Sequence, residues 1–280
     1  MEPSDCDFMA WRGHRVYVKV TGQGEPLLLI TGLGGSTDQW TPFAQQFQNR
    51  RVILFDVPGM GLSSAPYAPI SVASVAELAV AVLDDLGVEC ADVVGYSYGG
   101  AVAQQLAFDH PERVCRLVLA ATNFGVGSVP GSYAAMACLA TPLRYYSPTY
   151  FDRNAAALYG GMTGRDLSMR RRMMAERHRH PPSALGYQMQ LLGTLGWSSF
   201  RFLSRIPHDT LVICGDDDPL IPVVNAETLA RRIPRARLEI VRRSGHLFLW
   251  DEAKRLSVRV ARFLDAGAGA SLADPVAQVV

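Results

Sequence analysis

Ser97 lies between two glycines in Gly95-Tyr96-Ser97-Tyr98-Gly99, and the chemistry this pattern offers is that of an oxygen nucleophile. A serine hydroxyl attacks a carbonyl only when a neighbouring base takes its proton, and that base works only when a third group holds it in place. The charge that develops on the carbonyl oxygen then needs N–H donors. The chain must therefore bring a histidine, an acid and two free amides to Ser97.

Six histidines are available, and five have plainer positions. His14 and His208 sit outside the strand-end loops of the core, His110 precedes Pro111 at a helix end, and His178 and His180 lie in a basic segment. His246 follows Gly245 in a loop just after a late apolar strand and is the expected base. The acid is expected after a strand and before that histidine, within Gly215-Asp216-Asp217-Asp218-Pro219-Leu220-Ile221-Pro222. Three adjacent carboxylates cannot all face one imidazole. Asp218, placed before the Pro-Leu-Ile-Pro turn, is the first choice and Asp216 the second, while the competing strand end carries Thr122 and Asn123 instead of an acid. One oxyanion donor is the Tyr98 amide, at the start of a helix where unpaired N–H groups favour negative charge. The other is the Leu33 amide, in a loop where Gly34 and Gly35 permit close approach. This chemistry needs no metal or cofactor, and no ligand cluster offers a metal site.

These residues need a scaffold that presents strand ends to one place. Ala91–Tyr96 is a β-branched run that passes through Ser97 into the helical pattern continuing to about Asp109: strand, sharp turn, helix. Pro26–Ile30 and Val52–Asp56 read as buried parallel strands, and Arg15–Val20 as a half-exposed edge. Thr31–Ser36 is a loop of small residues, followed by an amphipathic stretch from Asp38 to Gln48. A helix with a capping box at Ser74 and Glu77 ends at Gly87. Val114–Ala120, Thr210–Gly215 and Ala236–Val241 continue the strands, and helices follow near Asn225–Ile233 and Asp251–Asp265. This alternation predicts an α/β fold with a mostly parallel, doubly wound sheet. Between Gly125 and Arg205 no buried strand is evident, so the chain divides into core at 1–124, a helical lid at 125–205, core again at 206–265 and a flexible tail at 266–280.

Composition sets the remaining bounds. With 49% hydrophobic and 19% charged residues the chain can bury a large core, and a net charge of +1 gives no reason to expect nucleic acid. No apolar run is long enough for a membrane span, and Glu2, Asp5 and Asp7 stand where a signal peptide carries positive charge, so a cytoplasmic protein is expected. Five scattered cysteines without a C-x-x-C pair suggest buried thiols, with neither a disulfide framework nor a zinc site. The lid carries ten arginines and no lysine against Asp152, Asp166 and Glu176. That excess reads either as a solvated helix face or as attraction of an anionic substrate, product, or lipid or granule surface. Six of the nine methionines lie there as well, giving it an adaptable apolar inventory.

Taken together the motifs resemble the α/β-hydrolase fold. Phe55-Asp56-Val57-Pro58-Gly59, Leu119-Ala120-Ala121-Thr122, Tyr159-Gly160-Gly161, Leu195-Gly196-Trp197, Gly215 to Pro222 and Gly245-His246-Leu247-Phe248-Leu249 are similar to the intracellular poly(3-hydroxyalkanoate) depolymerases for medium-chain polyesters. The resemblance spans nearly the whole chain and implies Ser, His and Asp roles for Ser97, His246 and Asp218, with a 3-hydroxyacyl polyester or oligoester as substrate. Two departures stand out: Thr31-Gly32 replaces the His-Gly that opens the loop in most lidded hydrolases, and Tyr96 and Tyr98 flank the serine. A thioesterase, a lactone-forming cyclase or a small-ester hydrolase would use the same machinery, and a non-catalytic receptor could keep the same fold. Serine at the elbow, where dehalogenases and epoxide hydrolases carry aspartate, argues against their chemistry.

Overall fold

A computed structural model describes residues 5–266 and 278–279. Among these residues nine strands form one sheet in the order β1-β2-β4-β3-β5-β6-β7-β8-β9. The strands are β1 Asp5–Trp11, β2 His14–Thr21, β3 Glu25–Ile30, β4 Arg50–Phe55, β5 Ala91–Tyr96, β6 Val114–Ala120, β7 Thr210–Gly215, β8 Ala236–Val241 and β9 Gln278–Val279. β1 pairs antiparallel with β2 and β2 antiparallel with β4, and every other pairing is parallel. The sheet is thus the mostly parallel α/β arrangement that the alternation of elements predicts, with the strand order that the resemblance to the α/β-hydrolase fold implies.

The sheet sorts its side chains by parity, as a strand buried on both faces must. Leu28, Ile30, Ile53, Phe55, Val93, Leu117, Leu119 and Val212 enter one apolar core. Their neighbours Leu27, Leu29, Val52, Leu54, Val94, Tyr96, Val118, Leu211 and Ile213 enter the other. Helices α2 Val72–Asp85, α3 Tyr98–Asp109 and α10 Val223–Arg232 supply residues to the first core. The short α1 Thr41–Ala44, α11 Phe248–Asp251 and α12 Ala253–Asp265 supply the second. Each fully buried aliphatic side chain contributes about 1.5–3 kcal/mol, so these two layers fix where the strand ends lie.

Between β6 and β7 the chain adds α4 Tyr133–Leu139, α5 Leu143–Tyr146, α6 Pro148–Tyr159, α7 Gly161–Arg165, α8 Leu167–Arg177 and α9 Ala184–Leu192. Ser132, Ser147 and Ser183 cap α4, α6 and α9 by accepting from the N–H three residues on. Among the described residues no helix is long and apolar enough to cross a membrane. The tail expected at 266–280 falls mostly outside the described residues, of which Gln278 and Val279 pair with β8.

Four local expectations differ from what is found. The edge of the sheet is β1, joined to β2 by a turn in which Arg12 and Gly13 have φ of 47° and 80°. The tight-turn signal at Arg12-Gly13 lies just ahead of the alternation at Arg15–Val20 and escapes a search for apolar runs. The cap of α2 is Ser71, whose hydroxyl accepts from Ser74 N at 3.1 Å. Ser74 and Glu77 lie inside the helix, because Val72 and Val75 are both needed in the core, and Glu77 contacts His110. The amphipathic stretch after Asp38 is shorter than read: a 3₁₀ turn at Thr37–Trp40 leads into α1, with Pro42 at its start. Finally, Cys90 and Cys115 form a disulfide with a Cα separation of 5.8 Å. They flank the Ala91–Val114 pair where β5 and β6 begin side by side, a juxtaposition created by the fold and invisible in their spacing. Cys138 and Cys214 are buried free thiols as expected, and burial pushes the Cys214 thiol up to about 12.

Candidate active site

Ser97 sits at the end of β5 with φ 53° and ψ −118°, a left-handed conformation that costs energy for any residue with a β-carbon. Its surroundings hold it there. Ser97 N donates to Ala120 O at 2.9 Å, and Thr122 Oγ1 donates to Ser97 O at 2.7 Å. Gly95 makes the close turn into α3 possible: a β-carbon there would stand 2.5 Å from Gly99 O and 2.6 Å from Ala103 Cβ. The result is a hydroxyl lifted clear of the sheet at the start of a helix.

Three of the side chains expected from the sequence meet here. Ser97 Oγ lies 3.0 Å from His246 Nε2, and His246 Nδ1 lies 2.8 Å from Asp218 Oδ2. Asp218 Oδ1 also accepts from Leu220 N and Ile221 N, both at 2.9 Å, so one carboxylate oxygen holds its own turn and the other faces the imidazole. The side chains of His246 and Asp218 are 3% and 0% exposed, which keeps bulk water from competing for the bond between them. The loop carrying His246 is fixed twice more: its N–H donates to Tyr159 O at 2.7 Å, and its carbonyl accepts from Tyr96 Oη at 3.1 Å. Asp216 is exposed, and Asp217 accepts from Gly161 N and pairs with Arg165. The other histidines face elsewhere: His110 to Glu77, His180 to Asp38, His208 to Pro111 O, His14 against Tyr67, and His178 exposed at the surface.

Leu33 and Ser97 line the same pocket, with Tyr98 opening α3 beside it. Among the described residues neither the Leu33 nor the Tyr98 amide is taken up by an internal hydrogen bond. The loop holding Leu33 is anchored from the helices between β6 and β7. Leu33 O accepts from Tyr145 Oη at 2.7 Å and Arg144 Nη2 at 3.2 Å, while Gly34 N donates to Gln190 Oε1 at 2.8 Å. Both ends of that peptide unit are therefore gripped by another part of the chain. Gln190→Ala is expected to leave the Gly34 amide unpaired, costing about 1–3 kcal/mol, and to lower kcat roughly tenfold by loosening the donor loop. Urea unfolding and steady-state kinetics of the same preparation check both effects.

Two carboxylates near the site are held in apolar surroundings. Asp56, at the exit of β4, accepts from Thr37 N at 2.7 Å and Leu62 N at 2.9 Å, and burial pushes its carboxyl up to about 6 despite those bonds. Asp251, five residues after His246, ties α11 to α7 by accepting from Thr163 Oγ1 at 2.8 Å and Thr163 N at 3.3 Å. Burial raises it to about 6, outweighing the lowering effect of those two bonds. A folded-state value above the ordinary 3.8 means that this group favours the native state most at low pH. That contribution is lost as pH rises through about 6. Asparagine can keep both contacts without the charge, its oxygen accepting from Thr163 N and its NH₂ donating to the Thr163 hydroxyl oxygen, so Asp251→Asn is expected to be more stable than the parent by about 1–2 kcal/mol at pH 8 and to show no advantage near pH 4. Urea titrations at the two pH values provide the check.

Sequence reasoning missed several residues of this site. Thr122 offers no carboxylate, yet its hydroxyl supports the strained serine. Tyr96 supports the histidine loop, and Arg144 and Arg177 line the pocket although both are buried. Of the Arg-rich stretch, Arg171, Arg172 and Arg179 are exposed, whereas Arg177 is buried. A single arginine turned inward from a charged run leaves no signal in composition.

Comparison with known proteins bears on the family and the fold. The profile of the alpha/beta hydrolase fold family matches residues 25–253. The chain is 41% identical over 240 residues to a poly(3-hydroxyalkanoate) depolymerase of Ectopseudomonas oleovorans, covering 85% of this chain and 84% of the relative. It is 33% identical over 266 residues to a 2-hydroxymuconate semialdehyde hydrolase of Pseudomonas putida, covering 90% and 91% respectively. A crystal structure of a hydrolase from Pseudomonas aeruginosa PA01 superposes with a TM-score of 0.79 at 26% identity, over 94% of this chain and 99% of that one.

Proposed function

We propose, for a chain that belongs to the α/β-hydrolase family, that it cleaves carboxylic esters through an acyl-enzyme on Ser97. The observation that carries this reading is the continuous hydrogen-bonded chain from Ser97 Oγ through the imidazole of His246 to Asp218. Ser97 Oγ attacks the ester carbonyl carbon while His246 Nε2 takes its proton. Asp218 holds the imidazole with Nδ1–H toward itself and stabilises the imidazolium. The tetrahedral oxyanion rests on the Leu33 and Tyr98 amides, donors of a kind worth roughly 3–4 kcal/mol each. As the C–O bond breaks, His246 returns the proton to the departing alcohol. Water then adds to the acyl group with His246 again as base, and the acid leaves with Ser97 restored.

The substrate is a 3-hydroxyacyl polyester or oligoester. Support comes from the identity to the depolymerase, which extends through most of the chain. The helices between β6 and β7 serve as a lid, since Arg144, Tyr145, Tyr159 and Arg177 all reach the pocket from them. Exposed Leu167 and Leu185, together with Arg171, Arg172 and Arg179, suit contact with a lipid or granule surface. A second reading, a hydrolase of small soluble substrates, is favoured by the identity to the semialdehyde hydrolase. Product analysis with a medium-chain polyester suspension, 3-hydroxyacyl dimers, acyl thioesters and short esters separates the two. Release of 3-hydroxy acids from polyester and dimers is expected; turnover confined to thioesters or short esters would overturn the substrate assignment.

A further inference from the structure

Three arginines are among the buried residues, and they are not treated alike. Arg50 is conventional: it pairs with Asp92 and Asp265 at 2.5 Å each. Arg144 and Arg177 are 3% and 5% exposed, and among the described residues neither has a carboxylate partner. Both line the pocket that contains Ser97 and His246.

Their neutral partners do not exhaust them. Arg144 donates to Tyr187 Oη at 2.6 Å, Thr141 O at 3.2 Å and Leu33 O at 3.2 Å, with Tyr145 Oη at 3.5 Å, but its Nε is buried without a partner. Arg177 makes a single hydrogen bond among the described residues, from Nη1 to Tyr159 Oη at 2.7 Å. A guanidinium has five N–H donors and stays charged at any ordinary pH. The two cations also share one neighbour, standing 4.6 and 5.4 Å from the centre of the Tyr145 ring. Ring faces offset part of the cost of burying a cation, but they do not neutralise two. Asp218 cannot serve, because His246 and two backbone amides already occupy its oxygens.

We infer that Arg144 and Arg177 form a subsite for a carboxylate inside the pocket, so that the ester cleaved by Ser97 carries a free acid group. A carboxylate supplies the missing charge and matches the planar fork of a guanidinium. This rests on the esterase reading above and narrows it. In a 3-hydroxyacyl oligoester the last unit carries its carboxylate two carbons from the oxygen of the ester to be cut, whereas a unit in mid-chain brings no charge. The pocket therefore favours the acid end of short oligoesters over the interior of a polymer.

The first test is binding, which does not depend on hydrolysis. In the Ser97→Ala chain, 3-hydroxyoctanoate is expected to bind about tenfold or more tightly than 3-hydroxyoctanamide by calorimetry, a difference of about 1.4 kcal/mol or more. Arg177→Met in that background is expected to remove the difference. The two-ligand comparison stands without the second substitution, so a variant that failed to fold would not rescue the proposal. Equal affinity of the acid and the amide would overturn the subsite. The second test is turnover by the unaltered enzyme of a 3-hydroxyoctanoate dimer against its methyl ester, where the free acid is expected to have the higher kcat/KM by about tenfold. Equal rates would also overturn it. Selective binding of the acid with no turnover of either ester would uphold the subsite and end the esterase reading instead.

Discussion

Ser97→Ala is expected to lower kcat for ester hydrolysis by a factor on the order of 10⁴ or more. The imidazole of His246 and the two amides would remain, but no oxygen would stand where the acyl group must be received. Water could act directly, although it would lack the fixed position that the turn after β5 gives the hydroxyl. The fold should survive the change. Alanine has the same β-carbon as serine, so the cost of φ 53° is the same in both, and only the 3.0 Å contact to His246 is lost. Thermal unfolding should therefore differ little while turnover collapses. Near-normal turnover by a homogeneous Ser97→Ala sample would reject the nucleophile assignment.

Asp218→Asn is expected to lower kcat by about 10³–10⁴-fold with little change in KM. The reason lies in how the carboxylate is shared. Oδ1 accepts two amides, from Leu220 and Ile221, so the asparagine oxygen must take that position. Its NH₂ then faces His246 Nδ1, where Oδ2 now stands. An NH₂ can only donate, so Nδ1 would become an acceptor and the ring proton would move to Nε2. The nitrogen that should receive the proton of Ser97 would already carry one. Asp216→Asn is the control within the same triplet: that side chain is exposed, and kcat should stay within about twofold. Asp217→Asn is expected to affect stability more than turnover, through the contacts to Gly161 and Arg165. A larger loss at Asp216 than at Asp218 would reverse the choice between them.

The fold was legible because strand and helix signals alternate strongly and the strands are apolar on both faces. Val93 and Val94 enter opposite cores and so read as one continuous run. The candidates Ser97 and His246 stand out in the sequence because Gly95 and Gly99 bracket the serine just past β5 and Gly245 precedes the histidine in the loop after β8. Asp218 required a local argument, since three aspartates share one turn. Other features depend on distance in the chain. Ser71 and Ser74 offer alternative caps, and only the packing of Val72 decides between them. The Cys90–Cys115 bond depends on the register of two strands separated by α3. Arg144 and Arg177 become a pair only when α5 and α8 are folded over the same cavity. Contacts assembled by folding do not show in the spacing of residues.

Ester cleavage by this chain depends on Ser97 being an activated nucleophile in the folded protein. Treating the chain with a serine-directed fluorophosphonate and mapping the adduct by peptide mass spectrometry tests this directly. One adduct is expected, on Ser97, with labelling slowed by about 10³-fold or more in His246→Ala because the hydroxyl then has no base. A folded protein whose Ser97 remains unlabelled, or labels equally fast without His246, would contradict it.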